Sequence, residues 1–98
     1  NRIFVLLGSN IEPEINIPLA INYLNLEPDL TLVRVSSTWR TKPVGSCCTD
    51  FLNTAVLFLS SIDPQVVKIQ ILAGIETRMG RVRTEDKNAP RTIDLDIV

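Results

Sequence analysis

Two aspartates, Asp94 and Asp96, stand two residues apart in the apolar run that spans residues 93–98. Side chains two apart on a strand point to the same face, with about 6.6 Å between their backbone positions. Like charges in apolar surroundings need a cation or an arginine to neutralise them. The pair therefore predicts either an all-oxygen site for Mg²⁺, with room for two ions bridged by substrate phosphates, or a polar strand face, exposed or paired with arginine.

A basic segment precedes these aspartates. Residues 78–91 contain five basic residues (Arg78, Arg81, Arg83, Lys87 and Arg91) against two acidic ones (Glu85 and Asp86). Arginine pairs with phosphate oxygens through two parallel hydrogen bonds. Because residues 81–92 show no periodic apolar pattern, we expect an exposed, mobile loop. The loop is either a polyphosphate clamp beside the aspartates or an ordinary solvated loop.

A third candidate site lies in the apolar segment Phe51–Leu59. Phe51 and Asn53 share one face of a strand by the same period of two. An aromatic ring beside an amide, which both donates and accepts hydrogen bonds, suits a flat heterocyclic ligand. The alternative is that Phe51 packs in the core.

The composition excludes several other kinds of chemistry. Ten basic residues against eleven acidic ones give a net charge of -1, so no general basic field attracts nucleic acid or an anionic membrane. The chain has no histidine, which removes histidine bases and the usual zinc sites. Adjacent Cys47 and Cys48 exclude a framework of disulfides. Neither a P-loop nor a Rossmann glycine pattern occurs, so phosphate binding would depend on side-chain cations and metal.

Periodicity predicts four strands and two helices. The strands are expected at residues 2–8, 31–39, 51–59 and 93–98. A first helix from Asn16 would place Pro18 in its first turn. A second helix, over about residues 64–79, would begin at the N-cap Asp63. Its predicted inner face comprises Ile69, Leu72, Ala73 and Met79.

The resulting order, β-α-β-β-α-β, predicts an α+β fold of the ferredoxin-like type, in which two helices cover one face of an antiparallel sheet. The length of 98 residues predicts a single domain. The chain stops in a predicted strand, so we expect a domain that is incomplete at its carboxyl end. It shows neither a signal peptide nor an apolar run of about 20 residues, and we expect a cytoplasmic protein.

Several blocks in register resemble one family, the 6-hydroxymethyl-7,8-dihydropterin pyrophosphokinases of folate biosynthesis. The most specific block is the run Lys87-Asn88-Ala89-Pro90-Arg91-Thr92-Ile93-Asp94-Leu95-Asp96-Ile97-Val98. Supporting blocks are Gly8-Ser9-Asn10, Ser36 to Gly45, Phe51 to Ala55, and Glu76 ahead of Gly80-Arg81-Val82-Arg83. Family members often have tyrosine where this chain has Phe51, which keeps the ring and loses a hydroxyl.

The resemblance implies transfer of pyrophosphate from MgATP to the hydroxymethyl oxygen of a reduced pterin, with AMP as the other product. It implies that Asp94 and Asp96 hold two Mg²⁺ ions and that Arg81 and Arg91 are catalytic contacts to the triphosphate. It assigns nucleotide binding to Glu76, Arg83 and Arg91, and pterin binding to Thr41, Pro43, Val44, Phe51 and Asn53. Fusion to, or association with, other folate enzymes also fits the resemblance.

A different class of function fits the same residues. A ferredoxin-like module could bind nucleotide, pterin or metal without turnover. The family continues well beyond its signature segment, so the 98-residue chain itself could be inactive.

Overall fold

The computed structural model of the protein describes residues 1–42, 50–80 and 92–98. The predicted loop over residues 81–92 therefore lies outside the described residues except for Thr92. Several residues named above therefore lie outside the described residues, among them Pro43, Val44, Cys47, Cys48, Arg81, Arg83, Lys87 and Arg91.

In the described residues, five strands form one sheet, and every pair of neighbours is antiparallel. The strands are β1 (Arg2–Ser9), β2 (Thr31–Val35), β3 (Trp39–Thr41), β4 (Phe51–Leu59) and β5 (Asp94–Ile97). The order across the sheet is β2-β4-β1-β5, and β3 also pairs with β4. Thus β1 and β4 are central, and β1 lies between β4 and β5.

Two helical regions connect these strands. The first is α1 (Pro13–Asn25). The second runs without a break through α2 (Pro64–Val66), a π-helical segment (Val67–Leu72) and α3 (Ala73–Arg78). Asp63 caps its start as predicted, since its carboxylate accepts a hydrogen bond from the backbone N–H of Gln65 at 2.8 Å.

The core fills the space between the helices and one face of the sheet. Alternate residues of β1 (Ile3, Val5, Leu7) and β4 (Val56, Phe58) are buried there together with Leu95 of β5. The helices contribute Ile17, Ala20 and Leu24 from α1, and Val67, Leu72 and Ile75 from the second helical region. Because strand side chains alternate, the residues between these core positions point to the opposite side, which we call the distal face. The structure is thus α+β, with an antiparallel sheet and two helices, and is compatible with a ferredoxin-like fold.

Three details of the predicted elements were wrong. Helix α1 begins at Pro13, so Pro18 lies beyond its first turn and inside the helix. The single strand expected over residues 31–39 is interrupted: at Ser36 the side-chain hydroxyl, rather than a backbone carbonyl, accepts the N–H of Ala55 at 2.9 Å. Ile69, expected on an inner face, is 68% exposed.

The π-helical segment explains the position of Ile69. A π-helical turn contains one residue more than an α-helical turn, so it shifts the buried face along the sequence. Val67 and Leu72, five residues apart, are both buried, followed by Ile75 and Glu76. An α-helical period cannot reproduce this spacing, and the apolar pattern therefore pointed to the wrong side of the helix.

Within the described ranges, none of the helices has the length and apolar character needed to cross a lipid bilayer.

Candidate active site

One row of residues crosses the distal face at the end of the sheet. Gly8 of β1 pairs with Asn53 of β4 on one side and with Asp94 of β5 on the other. Trp39 of β3 extends the row, because it pairs with Asn53 from the far side. Paired residues in antiparallel strands lie about 4.5–5.5 Å apart at Cα and share a face of the sheet. The pairing thus brings four of the sequence blocks onto one surface.

The two aspartates occupy the outer strand of this surface. Their neighbours Ile93 and Leu95 are buried in the core, which turns Asp94 and Asp96 to the distal face. Asp94 is partly buried and Asp96 is exposed. The prediction that the two carboxylates share one face is borne out by this alternation.

The Asn53 side chain is held by neighbouring strand β3. Its Nδ2 donates to the hydroxyl of Thr41 at 3.0 Å and to the carbonyl oxygen of Trp39 at 3.3 Å. These two bonds orient the amide so that Oδ1 faces the Gly8 side of the row. Thr41 and Asn53, both predicted to contact the pterin, are in direct contact with each other.

Gly8 keeps the middle of the row free of a side chain. A Cβ atom at this position would lie 3.3 Å from Asn53 Oδ1 and 3.8 Å from Phe51 Cδ1. Few real Cβ contacts are as close as 3.3 Å, so the Asn53 amide would have to shift. Glycine here allows the Asn53 amide to lie close to the backbone of β1.

Phe51 also lies beside Gly8. It is partly buried, does not belong to the hydrophobic core cluster, and pairs with Thr41. Its ring edge approaches Gly8 on the distal face, as the distance to the Gly8 Cβ position shows. Of the two interpretations open at the sequence level, this position favours a ring that borders a ligand surface over one packed in the core.

Glu76 lies on the other side of the sheet from this surface. The residue is only 5% exposed, and its Oε2 accepts the backbone N–H of Leu95 at 2.9 Å. Leu95 stands between Asp94 and Asp96. A carboxylate from α3 is therefore hydrogen-bonded to β5 at the residue between the two aspartates.

The donor set fits a hard divalent cation in composition. Two carboxylates from one strand face supply oxygen ligands, which Mg²⁺ prefers, and Mg²⁺ usually keeps several waters or substrate phosphates as further ligands. Among residues 1–42, 50–80 and 92–98, no group of three acidic, cysteine or histidine side chains comes together. The described residues could thus provide part, but not all, of a coordination shell.

Two residues that the sequence did not single out as site residues, Gly8 and Trp39, belong to the row. At the end of β1, the hydroxyl of Ser9 donates to the carbonyl oxygen of Ile11 at 3.0 Å. Gly8 itself is part of β1. A glycine inside an apolar strand often marks a close approach of another group, and this signal could have identified it.

Comparison with known proteins places this arrangement in context. The model of the family described as 7,8-dihydro-6-hydroxymethylpterin-pyrophosphokinase (HPPK) matches residues 4–98. A 2-amino-4-hydroxy-6-hydroxymethyldihydropteridine pyrophosphokinase of Synechocystis is 38% identical over 93 residues, which cover 94% of this chain and 47% of the relative. The protein of the same name from Bacillus subtilis is 37% identical over 100 residues, covering all of this chain and 59% of the relative.

A third relative of that name, from Methylorubrum extorquens, is 34% identical over 99 residues, covering 99% of this chain and 61% of the relative. The chain thus spans about half to three-fifths of the length of the curated relatives it matches.

Proposed function

The chain belongs to the 7,8-dihydro-6-hydroxymethylpterin-pyrophosphokinase family, and from this premise we propose that it carries the site for transfer of pyrophosphate from MgATP to 6-hydroxymethyl-7,8-dihydropterin. In this reaction the hydroxymethyl oxygen of the pterin attacks the β-phosphorus of ATP, and AMP leaves. The product is the diphosphate ester of the pterin, an intermediate of folate biosynthesis.

The observation that carries the proposal is the double pairing of Gly8 with Asn53 and Asp94. It sets a hydrogen-bonding amide and a pair of carboxylates on one face, separated by a residue without a side chain. A heterocycle seated on the amide would have its substituent directed along the row toward the carboxylates. This is the relative placement that a transfer between a bound pterin and a metal-bound triphosphate requires.

At the pterin end, we assign recognition to Asn53 and stacking to Phe51. The amide can exchange hydrogen bonds with the donor and acceptor edge of a pterin, and the aromatic ring can cover one face of it. Thr41 holds the amide in place through the 3.0 Å bond. Pro43 and Val44 complete this end of the site in the proposal, on the strength of the family resemblance.

At the phosphate end, we assign Asp94 and Asp96 to two Mg²⁺ ions. When bound, the ions would neutralise triphosphate charge and stabilise the charge that develops during transfer. Asp94 and Asp96 belong to β5, which is paired to β1. This pairing would give the bound ions a fixed position relative to the pterin end. Arg81 and Arg91 are proposed to contact the triphosphate, and Arg83 the nucleotide, since phosphoryl-type transfer depends on positioning and charge neutralisation.

Three finer statements belong to the same proposal. The fold is ferredoxin-like if β2 and β3 are taken as one interrupted strand, because the order β2-β4-β1-β5 then matches the βαββαβ pattern. The activity is placed in the cytoplasm, where ATP is available as donor. Association with other folate enzymes is consistent with a shared pathway.

A radiolabelled or coupled AMP-release assay tests the proposal. The protein is incubated with MgATP and 6-hydroxymethyl-7,8-dihydropterin, and AMP is measured over time. Pterin-dependent AMP formation supports the proposal. Calorimetric binding of both substrates without AMP formation would instead favour a binding module, and failure to bind either substrate would refute both.

A further inference from the structure

The buried carboxylate of Glu76 accepts a hydrogen bond from a backbone group of β5. Its Oε2 lies 2.9 Å from the backbone nitrogen of Leu95, and the residue is 5% exposed. Removing a carboxylate from water is costly unless hydrogen bonds replace the lost solvation. A charge-assisted bond to an N–H is about twice as strong as a neutral one, so this contact is a strong tie between α3 and β5.

The hydrogen bond is made on the side of β5 that does not pair with β1. Strand β5 pairs with β1 over four residues, and in the described part of the chain it forms the edge of the sheet. Because the Leu95 N–H points to Glu76, it points away from β1. Leu95 and Leu7 are therefore a pair whose backbone groups do not bond to each other. The carboxylate supplies from the helix the hydrogen bond that no described neighbouring strand supplies.

Fixing Leu95 fixes both aspartates. The peptide units on either side of Leu95 carry Asp94 and Asp96, so a rotation or slip at Leu95 would tilt both carboxylates. A slip by one residue would exchange the faces of the strand and turn them toward the core. The bond from Glu76 and the burial of the Leu95 side chain hold the same residue from two directions.

We propose that Glu76 is a positioning residue for the dicarboxylate: its reach to the Leu95 N–H sets the presentation of Asp94 and Asp96 on the distal face. This inference rests on the proposed function, since it assumes that these carboxylates bind metal. It differs from a direct contact between Glu76 and nucleotide, because the effect passes through the backbone of β5. The required property is the length of the side chain and its acceptor oxygen, while the charge only strengthens the bond.

Two conservative substitutions separate reach from charge. Glu76→Gln keeps the chain length and an acceptor oxygen and removes the charge. Glu76→Asp keeps the charge and withdraws the carboxylate by one methylene. Ile75→Val is the matched control, because it trims a fully buried neighbour in the same helix without touching the bond to Leu95.

Three measurements on each variant decide the matter. Amide hydrogen exchange is followed at Leu95 against Val5 in the central strand. Mn²⁺ alone is titrated while paramagnetic broadening of the Leu95 and Ile97 amide signals is recorded. KM for MgATP and for the pterin are compared.

For Glu76→Asp, we expect exchange at Leu95 to accelerate by at least about 10-fold over that in Ile75→Val. We also expect weaker Mn²⁺ binding by about 10-fold to 100-fold, the usual effect of losing a group that orients metal ligands. KM for MgATP should rise, while KM for the pterin stays within about 2-fold. Glu76→Gln should stay within about 3-fold of the unchanged protein in exchange and in Mn²⁺ binding.

Other outcomes identify which statement fails. Wild-type Leu95 exchange or wild-type Mn²⁺ binding in Glu76→Asp would overturn the positioning role. A larger defect in Glu76→Gln than in Glu76→Asp would also overturn it, because charge rather than reach would then matter. Absence of Mn²⁺ broadening in the unchanged protein would overturn the metal assignment in the proposed function itself, and with it the premise of this inference.

Discussion

Asn53 and Asp94 are joined by a shared neighbour, Gly8, which pairs with Asn53 on one side and with Asp94 on the other. Two strand spacings separate their backbones by about 10 Å. This distance suits a bicyclic ligand whose ring lies at the amide and whose short substituent reaches toward the carboxylate. The relationship depends on strand pairing alone and holds for any rotamer of the two side chains.

Asp94→Asn or Asp96→Asn should lower AMP formation by more than about 100-fold. Each change removes a charged oxygen ligand, and loss of a group that merely orients a ligand already costs about 10-fold to 100-fold in metal affinity. Circular dichroism should remain unchanged. Asp29→Asn is the control, since Asp29 is exposed and lies outside the row. Near-normal turnover in either site variant would remove the metal assignment.

Gly8→Ala should raise KM for the pterin by up to about 10-fold, which corresponds to about 1.4 kcal/mol. The added Cβ would lie 3.3 Å from Asn53 Oδ1 and displace the amide. Gly74→Ala is the matched control, because nothing lies within 4 Å of its Cβ position in α3. That change should leave KM unaltered and stabilise the helix by up to about 1 kcal/mol. Equal KM values for both variants would contradict the assigned role of Gly8.

Thr41→Val should weaken pterin binding by about 2-fold to 10-fold without loss of stability. The substitution keeps the shape of the side chain and removes the oxygen that accepts from Asn53 Nδ2 at 3.0 Å, a bond whose net value is about 0.5–1.5 kcal/mol. Thr31→Val in β2 serves as control, since this exposed residue pairs with Leu59 at the far end of the sheet. Isothermal titration with a pterin analogue measures the effect, and indistinguishable affinities would show that Thr41 does not orient the amide.

Ile69→Gln should change the free energy of unfolding by no more than about 0.5 kcal/mol, as is usual at exposed positions. Ile75→Ala, in the same helical region, should cost about 2–5 kcal/mol because Ile75 is 1% exposed. Urea denaturation of both variants provides the comparison. If Ile69→Gln were the more damaging change, the π-helical shift of the buried face would be wrong.

The sequence predicted the strands more accurately than the helices. The β-branched and aromatic content of 51–59 and the alternation in 93–98 identified both strands, and a period of two placed Asp94 and Asp96 on one face. The predicted inner face of the second helix was wrong at Ile69, because no apolar pattern indicates a π-helical turn. The interruption at Ser36 was also missed, because its cause is a side-chain bond to Ala55 on a distant strand.

The contact between Glu76 and Leu95 could not be predicted at all from local pattern. A glutamate near the end of a helix ordinarily indicates a solvated residue. Its burial depends on where the helix crosses β5, which is a property of the assembled sheet. The resemblance to the family singled out the residue without revealing this bond.

The pairing of Gly8 with Asp94 has a consequence for how the protein folds. The two residues are far apart in the sequence, so their contact closes a long loop that contains α1, β2, β3, β4 and the second helical region. Long loops add closure entropy, and contacts of this kind slow folding and tend to form late. During synthesis the amide half of the surface, built by β1, β3 and β4, can assemble before β5 has left the ribosome. Asp94 and Asp96 would then join a surface whose amide half is already in place.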